Sequence, residues 1–405
     1  MRSAFAVLSI VALLTGTAQA GTPAANAGKA AEAPKAAEAP KAAAAANRFA
    51  LALYGQIRSN EGNLFFSPYS IHSALAMTAA GARGQTRAQM EALLMEGISA
   101  ADLGALHRAI APSRQAKFSL HTANALWAQR GFPFLPAFID QTRRTYEAQL
   151  DLLDFADEQH ARETINKWVE EKTRDRIKNL IPHGILNADT RLVLTNAIYF
   201  KARWANTFSK NMTQDGDFTL ADGKTTKAKM MRQTERMGYG QTPDAQIVRI
   251  PYEAHEAEML LIVPRKADAL AAVEEKLADF LAPLHDARRV ELHLPRFTMT
   301  HELNLARTLK AMGMTDAFDP FKADFSGMST ADRLAITDAL HKAFVLVDEE
   351  GTEAAAATAI MVGVTAMPIE DEPVVVKADR PFLFLIRHTQ TGAILFMGRV
   401  TNLVE

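Results

Sequence analysis

Residues 349–359 read EEGTEAAAATA, close to the C-terminus of the chain. The four consecutive alanines favour a helix, whereas the residues that follow, Ile360–Thr365 (IMVGVT), are mostly apolar and β-branched and favour a strand. A segment with small side chains, no proline and no single preference suits two conformations. Because such a conflict is typical of functional or switching sites, this stretch predicts a conformational switch.

The same stretch has the pattern of a buried strand. If the chain from Thr352 to Val364 entered a sheet, alternate side chains would face the core. The inward-facing residues would be Thr352, Ala354, Ala356, Thr358, Ile360 and Val362. All six are uncharged and the first four are small, while Glu353 would face solvent. A charge or a proline at Thr352 or Ala354 would obstruct entry, through an unpaired buried ion or a lost ladder bond.

The N-terminus predicts export. Residues 1–20 combine a positive Arg2, an apolar run over Ala4–Leu14 and a small-residue cleavage site at Ala18-Gln19-Ala20, as secretory signal peptides do. We therefore expect cleavage after Ala20. The mature protein would be secreted or periplasmic, because no later apolar run is long enough to span a bilayer.

Residues 21–47 are of low complexity and rich in Ala, Pro, Lys and Glu, with Lys29–Pro34 (KAAEAP) repeated as Lys35–Pro40. A segment with almost nothing to bury predicts a disordered, solvated linker. Residues 48–405 have a continuously globular composition, and no second linker interrupts them. They are therefore predicted to form one domain.

Composition excludes several classes of function. The net charge is −1, so neither nucleic acid nor an anionic membrane surface is an expected partner. The chain has no cysteine, although exported proteins often contain disulfides, so a large apolar core must supply the stability. Helical patterns dominate the first part of the domain and strand-like runs the last part. That segregation predicts an α+β domain with antiparallel or mixed sheets.

Catalytic and metal-binding motifs are incomplete. A nucleophile elbow requires Gly-x-Ser-x-Gly, and the nearest fragment, Asp324–Met328 (DFSGM), lacks the first glycine. His255-Glu256 and His301-Glu302 begin like a zinc-binding helix, but neither has a second histidine four residues after the first. We therefore predict that the chain is not an enzyme and holds neither a metal nor a cofactor.

Several short segments of the chain match those of one family and stand in the family's order. The resemblance extends over residues 48–405. The segments are Asn63–Ser70 (NLFFSPYS), Gly81–Gly84 (GARG), Ile165–Val169 (INKWV), Leu194–Trp204 (LTNAIYFKARW), Leu340–Ala343 (LHKA), Arg380–Arg387 (RPFLFLIR) and Phe396–Val400 (FMGRV). Together with residues 349–359 they resemble the serpins, a family of serine protease inhibitors.

The resemblance implies an α+β fold of three β-sheets and about eight or nine helices, with an exposed reactive-centre loop at about residues 351–373. The loop would begin with a hinge, made of Glu350, Gly351, Thr352, Glu353, Ala354, Ala355, Ala356, Ala357 and Thr358. A hydrogen-bonded shutter would lie beneath the point where the central sheet parts, made of Ser67, Ser70, Asn196 and His341. Trp204 would mark the breach, at the top of the same sheet, with simple core packing as the alternative for it.

The position of the cleaved bond has two interpretations. Counting forward from Gly351, as in inhibitory serpins, places it between Thr365 and Ala366, whereas counting from the other end of the loop gives a later register near Glu370. We prefer the forward count, because the length that inserts is fixed on that side. Residues 351–372 contain no Lys, Arg or aromatic residue, so elastase-like or subtilisin-like proteases with a shallow apolar pocket are the expected targets.

By this resemblance the chain is an exported, bacterial-type inhibitor of serine proteases. It would be a suicide substrate, in which the protease's serine attacks the Thr365 carbonyl and the acylated loop inserts into the central sheet before hydrolysis. The expected partner is a serine protease in a covalent acyl complex, and the expected state is a monomer. The alternative is a non-inhibitory serpin that serves as a chaperone, carrier or binding scaffold, whose hinge would contain bulky or charged inward positions.

Overall fold

The computed structural model describes residues 38–111, 117–131, 133–146, 149–282, 287–330, 334–353 and 372–403, which belong to the unit Ala36–Glu405. The α-helices are α1 Glu38–Ile57, α2 Pro68–Ala80, α3 Gly84–Leu94, α4 Ala100–Ile110, α5 Pro136–Tyr146, α6 Glu158–Lys172, α7 Leu270–Glu275 and α8 Ala306–Ala311. The strands are β1 Leu64–Phe66, β2 Phe118–Gln129, β3 Gln149–Leu153, β4 Leu192–Arg203, β5 Gln214–Thr219, β6 Thr225–Gln241, β7 Ala245–Pro251, β8 Ala257–Pro264, β9 Ala287–Pro295, β10 Phe297–Asn304, β11 Asp338–Val347, β12 Gly351–Thr352, β13 Val374–Lys377, β14 Phe382–His388 and β15 Ile394–Val400.

The helices concentrate in the first part of the chain and the strands in the rest, which confirms the predicted α+β class. Local signals begin several helices. Ser67 caps α2 by accepting a hydrogen bond from the Ser70 backbone, and Pro68 suits the first turn because it lacks an N–H. Helix α4 was not predicted from the sequence, although Ser99 and Asp102 form a capping box at its start.

The larger sheet has nine strands in the order β1-β15-β14-β8-β7-β6-β9-β13, with β5 paired to β6. The resemblance implied three sheets, whereas the described strands form two hydrogen-bonded sheets. The reason is that β6 pairs with strands of what would otherwise be two separate sheets. Its residues 230–238 pair with β9, and its residues 238–241 pair with β7. One 17-residue strand therefore joins what would otherwise be separate sheets.

The smaller sheet contains the region of the predicted switch. Its six strands follow the order β10-β11-β12-β4-β2-β3. Strands β4 and β11 run parallel and pair directly over residues 193–199 and 338–344, which we call the seam. Beyond the seam, the two-residue strand β12 lies between them and is antiparallel to both.

Helix α6 covers one face of this sheet. Ile165 and Val169 of α6 join Trp127 of β2, Val193 of β4 and Leu340 of β11 in one buried cluster. The opposite face packs against the larger sheet, where the ring of Phe200 on β4 lies 5.8 Å from that of Phe396 on β15. The seam is therefore buried on both faces, so any movement along it must displace packed side chains.

The predicted linker of residues 21–47 is wrong for its last ten residues, because α1 begins at Glu38. Alanines were interpreted as having nothing to bury, yet Ala42, Ala43, Ala45 and Ala46 are buried, since their small side chains let α1 pack closely on its neighbours. Residues 21–37 lie outside the described residues. In the part of the chain that the structure describes, no helix is both long and apolar enough to cross a membrane.

Candidate functional site

The four predicted shutter residues meet at the middle of the seam. Asn196 of β4 and His341 of β11 are register partners, and Ser67 and Ser70 lie at the start of α2. The backbone N–H of Ser67 donates to Nε2 of His341 at 3.1 Å, so Nδ1 of that ring donates to Oδ1 of Asn196. Nδ2 of Asn196 donates to Oγ of Ser70 at 2.5 Å. Side-chain bonds therefore tie α2 to both strands of the seam.

A fifth member, Asn124, was not predicted from the sequence. It lies on β2 opposite Asn196, and its Oδ1 accepts from Oγ of Ser70 at 3.1 Å and from Nδ2 of Asn196. Strand β2 begins at Phe118 and therefore includes Asn124. Ser67, Ser70, Asn124, Asn196 and His341 are together called the polar cluster.

The polar cluster is neutral. His341 is completely buried, and this burial, followed by the nearby His301, lowers its pKa to about 3. A neutral ring can donate through one nitrogen and accept through the other, as it does here. The cluster therefore holds the seam by directional hydrogen bonds and not by ionic attraction.

The first residues of the predicted hinge already lie in the sheet. In β12, Gly351 is the partner of Arg203 on β4, and Thr352 is the partner of both Ala202 on β4 and Val347 on β11. A Cβ on Gly351 would stand 2.1 Å from the carbonyl oxygen of Ala202. Glycine is required at this position because any side chain would collide with the backbone of β4.

Thr352 is buried, as its predicted inward position requires. Its Oγ1 lies 2.6 Å from the hydroxyl of Tyr252, whose ring stacks on Trp204 with centroids 4.6 Å apart. Nε1 of Trp204 donates to the carbonyl oxygen of Asp348 at 2.9 Å, and its backbone N–H donates to that of Glu350 at 3.0 Å. Trp204, the predicted breach residue, thus contacts the start of the hinge as well as the core. No sequence signal identified Tyr252.

Two further glutamates tie the start of the hinge to its surroundings. The carboxylate of Glu350 lies 3.2 Å from Nζ of Lys210 and 3.6 Å from Nη2 of Arg203. Glu349 accepts from Oγ1 of Thr213 at 2.7 Å and lies 3.7 Å from Nε of Arg296. Three cations therefore pair with the two glutamates that precede Gly351.

Glu353 corrects our prediction that its side chain would face solvent. It is only 8% exposed, forms an ion pair with Nε of Arg176, and lies beside Tyr199 of β4. Burial, followed by this carboxylate, raises the pKa of the Tyr199 phenol. Thr352 is buried as predicted, whereas Glu353 is covered by the chain that follows α6.

The other predicted site residues, Ala354–Thr358 and the bond between Thr365 and Ala366, lie outside the described residues. Their assignment therefore stays a prediction from sequence. Within the described ranges, no group of three or more His, Cys, Asp or Glu side chains is arranged to hold a metal ion.

The comparisons with known proteins agree on one family. The family model described as "Serpin (serine protease inhibitor)" matches residues 44–403. The chain belongs to the serpin family. The human leukocyte elastase inhibitor is 38% identical over 383 residues, covering 88% of this chain and 97% of that protein. An uncharacterized serpin-like protein of Methanosarcina acetivorans is 36% identical over 372 residues, covering 88% and 85%.

The serpin is also similar to solved structures. That of Serpin48, described as a highly specific serpin of the insect Tenebrio molitor, has a TM-score of 0.83 and 30% identity. The match covers 90% of this chain and 98% of that one. The serpin fold predicted from the sequence is confirmed, whereas the roles of shutter, breach and hinge stay predictions for which the geometry gives the contacts.

Proposed function

We propose that this serpin is an exported inhibitor of serine proteases that traps its target by inserting the cleaved loop along the seam. The observation that carries the proposal is the position of β12. It lies between β4 and β11, antiparallel to both, at the end of seven directly paired residues on each strand. A longer β12 would run along the seam and separate those pairs.

The register of β12 supports this direction of insertion. If the strand continued, each further residue would lie one position further back along both β4 and β11. Thr358, six residues after Thr352, would then be the partner of Asn196 and His341 on the same face of the sheet. The last residue of the predicted hinge would thus bring a hydroxyl to the polar cluster, as a new partner for groups that insertion separates.

The energetics favour the inserted form. Each ladder hydrogen bond contributes roughly 1 kcal/mol net and each buried methylene about 0.8 kcal/mol. About a dozen residues that gain neighbours on both sides would contribute on the order of 10–20 kcal/mol, similar to the roughly 5–15 kcal/mol stability of a whole domain. The form with an exposed loop is then a kinetically trapped state.

The chemistry belongs to the protease. Its serine oxygen would bond to the Thr365 carbonyl carbon, the bond to the Ala366 nitrogen would break, and that nitrogen would leave with a proton donated by the protease. The result is an ester between protease and inhibitor. Insertion of residues 353–365 would then draw the bound protease along the sheet and distort its active site before water can reach the ester.

The expected targets have a shallow apolar specificity pocket. Residues 351–372 offer no Lys, Arg or aromatic side chain, so trypsin-like and chymotrypsin-like pockets would gain little binding energy. The 38% identity to leukocyte elastase inhibitors supports an elastase-like target. Export rests on residues 1–20, and N-terminal sequencing of protein recovered outside the cytoplasm should begin at Gly21.

The decisive experiment mixes the purified serpin with an elastase-like protease and examines the mixture after boiling in detergent. We expect a covalent complex of the two chains. Thr352→Arg should abolish the complex and leave a cleaved serpin, because a charge would have to enter the buried position beside Tyr252, and inhibition should fall by about a hundredfold or more. The matched control is Lys178→Arg, at an exposed position of the chain after α6.

A cleaved product without complex, across elastase-, subtilisin- and trypsin-like proteases, would count against inhibition. It would favour the non-inhibitory serpin that serves as a chaperone, carrier or scaffold.

A further inference from the structure

We propose that Arg176 is a positioning residue that holds the hinge two residues into the sheet, and that losing its charge releases the hinge. Its kinetic consequence rests on the proposed function, whereas its structural consequence does not. Arg176 lies in the chain after α6, far in sequence from both the hinge and the bait.

Arg176 lies at the fork where the seam ends. Tyr199 and Phe344 are the last register pair of the seam, and their rings are 6.4 Å apart. The guanidinium of Arg176 lies 5.9 Å from the centroid of the Phe344 ring and pairs with Glu353, which follows β12 directly. One side chain thus contacts β11 and the hinge, with the Tyr199 hydroxyl of β4 beside its partner.

Glu353 does not have the backbone conformation of a strand. Its φ is +46°, in the left-handed region that a glutamate adopts only at a cost, and its N–H donates to the carbonyl oxygen of Leu346 at 2.9 Å. A continuing strand would require an extended backbone here. Strand β12 therefore ends at Thr352.

The charge of Arg176 decides whether this arrangement is stable. Glu353 is buried, and a buried carboxylate that loses its cation is strongly unfavourable. The simplest relief is for Glu353 to return to water, which withdraws Thr352 and Gly351 from between β4 and β11. If Glu353 loses its charge as well, no unpaired carboxylate is buried, and the hinge should stay in the sheet because Thr352 keeps its bond to Tyr252. Arg176 and Glu353 should therefore be coupled in a double-mutant cycle.

The test is hydrogen exchange, read by mass spectrometry at the backbone amides of residues 351–353 in the full chain without protease. Arg176→Gln should speed exchange there by roughly tenfold or more, since the uncompensated charge drives the hinge out. Arg176→Lys should exchange like the wild type. The double variant Arg176→Gln with Glu353→Gln should restore the protection, and Lys178→Gln, in the same exposed segment, should change nothing.

Unchanged protection in Arg176→Gln would overturn the proposal. So would equal loss of protection in Lys178→Gln or in the double variant, because either would mean that packing after α6, and not the ion pair, holds the hinge. The second readout is the rate of complex formation with the elastase-like protease, which should rise about two- to tenfold in Arg176→Gln because a released hinge adds residues to the loop that carries the bait. If the wild type forms no complex with any protease, the proposed function fails, and the exchange experiment still decides the role of Arg176.

Discussion

The polar cluster at the middle of the seam is neutral and sealed, whereas the residues at the hinge end are charged and partly open. Asn196 and His341 are almost completely buried. Around the hinge, the cations that pair with Glu349, Glu350 and Glu353 keep between 33% and 62% of their side-chain surface exposed.

This difference predicts which end of the sheet would open first in the proposed insertion. A carboxylate that leaves the sheet together with the hinge is rehydrated, and its cation is already partly in water, whereas the buried neutral groups of the polar cluster must find new partners or remain unsatisfied. The hinge end can therefore open and close while the seam stays paired. The cluster would part only when an inserting strand supplies replacement hydrogen bonds.

The largest expected effect comes from acid, which acts on three histidines: His341 of the polar cluster, His72 of α2 and His107 of α4. Burial lowers the pKa of His341 to about 3, and those of His72 and His107 to about 4. Unfolded histidine titrates near pH 6.5, so stability is complete above that value and falls below it, as the unfolded chain binds protons that the folded chain does not. Between pH 8 and 5.5 each histidine should lower the free energy of unfolding by about 1.4 kcal/mol, and the three together by about 4 kcal/mol. The measurement is the urea midpoint across that range.

His341→Gln isolates the contribution of His341, because glutamine has hydrogen-bonding groups but does not titrate. It should remove about a third of the acid-dependent loss, while His160→Gln, at an exposed position in the first turn of α6, should leave the loss unchanged. An acid dependence that is identical in His341→Gln and the wild type would show that the polar cluster does not contribute to it.

A smaller effect is expected from blocking the hinge itself. In Gly351→Ala the new methyl group would meet the Ala202 carbonyl oxygen at 2.1 Å, so the hinge should leave the sheet. Overpacking of this kind typically costs about 1–3 kcal/mol. Faster hydrogen exchange at residues 351–353, with protection unchanged along the seam, would confirm that the two regions open separately.

Gly55→Ala is the matched control, because a methyl group at this position of α1 would meet no atom within 4 Å. It should leave hinge exchange unchanged and stabilise the helix by roughly 0.5–1 kcal/mol. Loss of protection along the seam in Gly351→Ala would contradict the separation, since it would mean that the polar cluster depends on a seated hinge.

The smallest effect on stability is expected from the exposed ion pair between Lys210 and Glu350. Lys210 is 62% exposed, and Lys210→Ala removes a pair with Glu350 that should contribute less than about 1 kcal/mol. The difference from wild type in urea midpoint should shrink further in high salt, because exposed pairs are screened. A large effect that persists in salt would show that the hinge end is not held by exchangeable ion pairs.

Much of the fold could be predicted from local patterns. The α+β segregation and the inward position of Thr352 were predicted because periodicity is visible in sequence, whereas the predicted shutter residues came from the resemblance to the serpins. Asn124 was missed because it lies in none of the short segments that carry the resemblance. The early start of α1 was missed because alanine signals helix but hardly signals burial.

Tyr252 and Arg176 had no sequence signal at all. Each contacts the hinge from an element more than 90 positions away in the chain, Tyr252 through the hydroxyl of Thr352 and Arg176 through Glu353. Only folding brings such residues together, so neither composition nor periodicity marks them.

The sequence by itself determined the features that the proposed insertion requires: a run of small, uncharged side chains at alternate positions, a glycine where a backbone passes closely, and no proline before the end of the hinge. The tertiary structure alone decided that Gly351 and Thr352 lie between β4 and β11. The depth of the hinge depends on the cation that meets Glu353, the hydroxyl that meets Thr352 and the cover over the second face of the sheet. A strand's pattern is local, but its environment is set by neighbours that are distant in the chain.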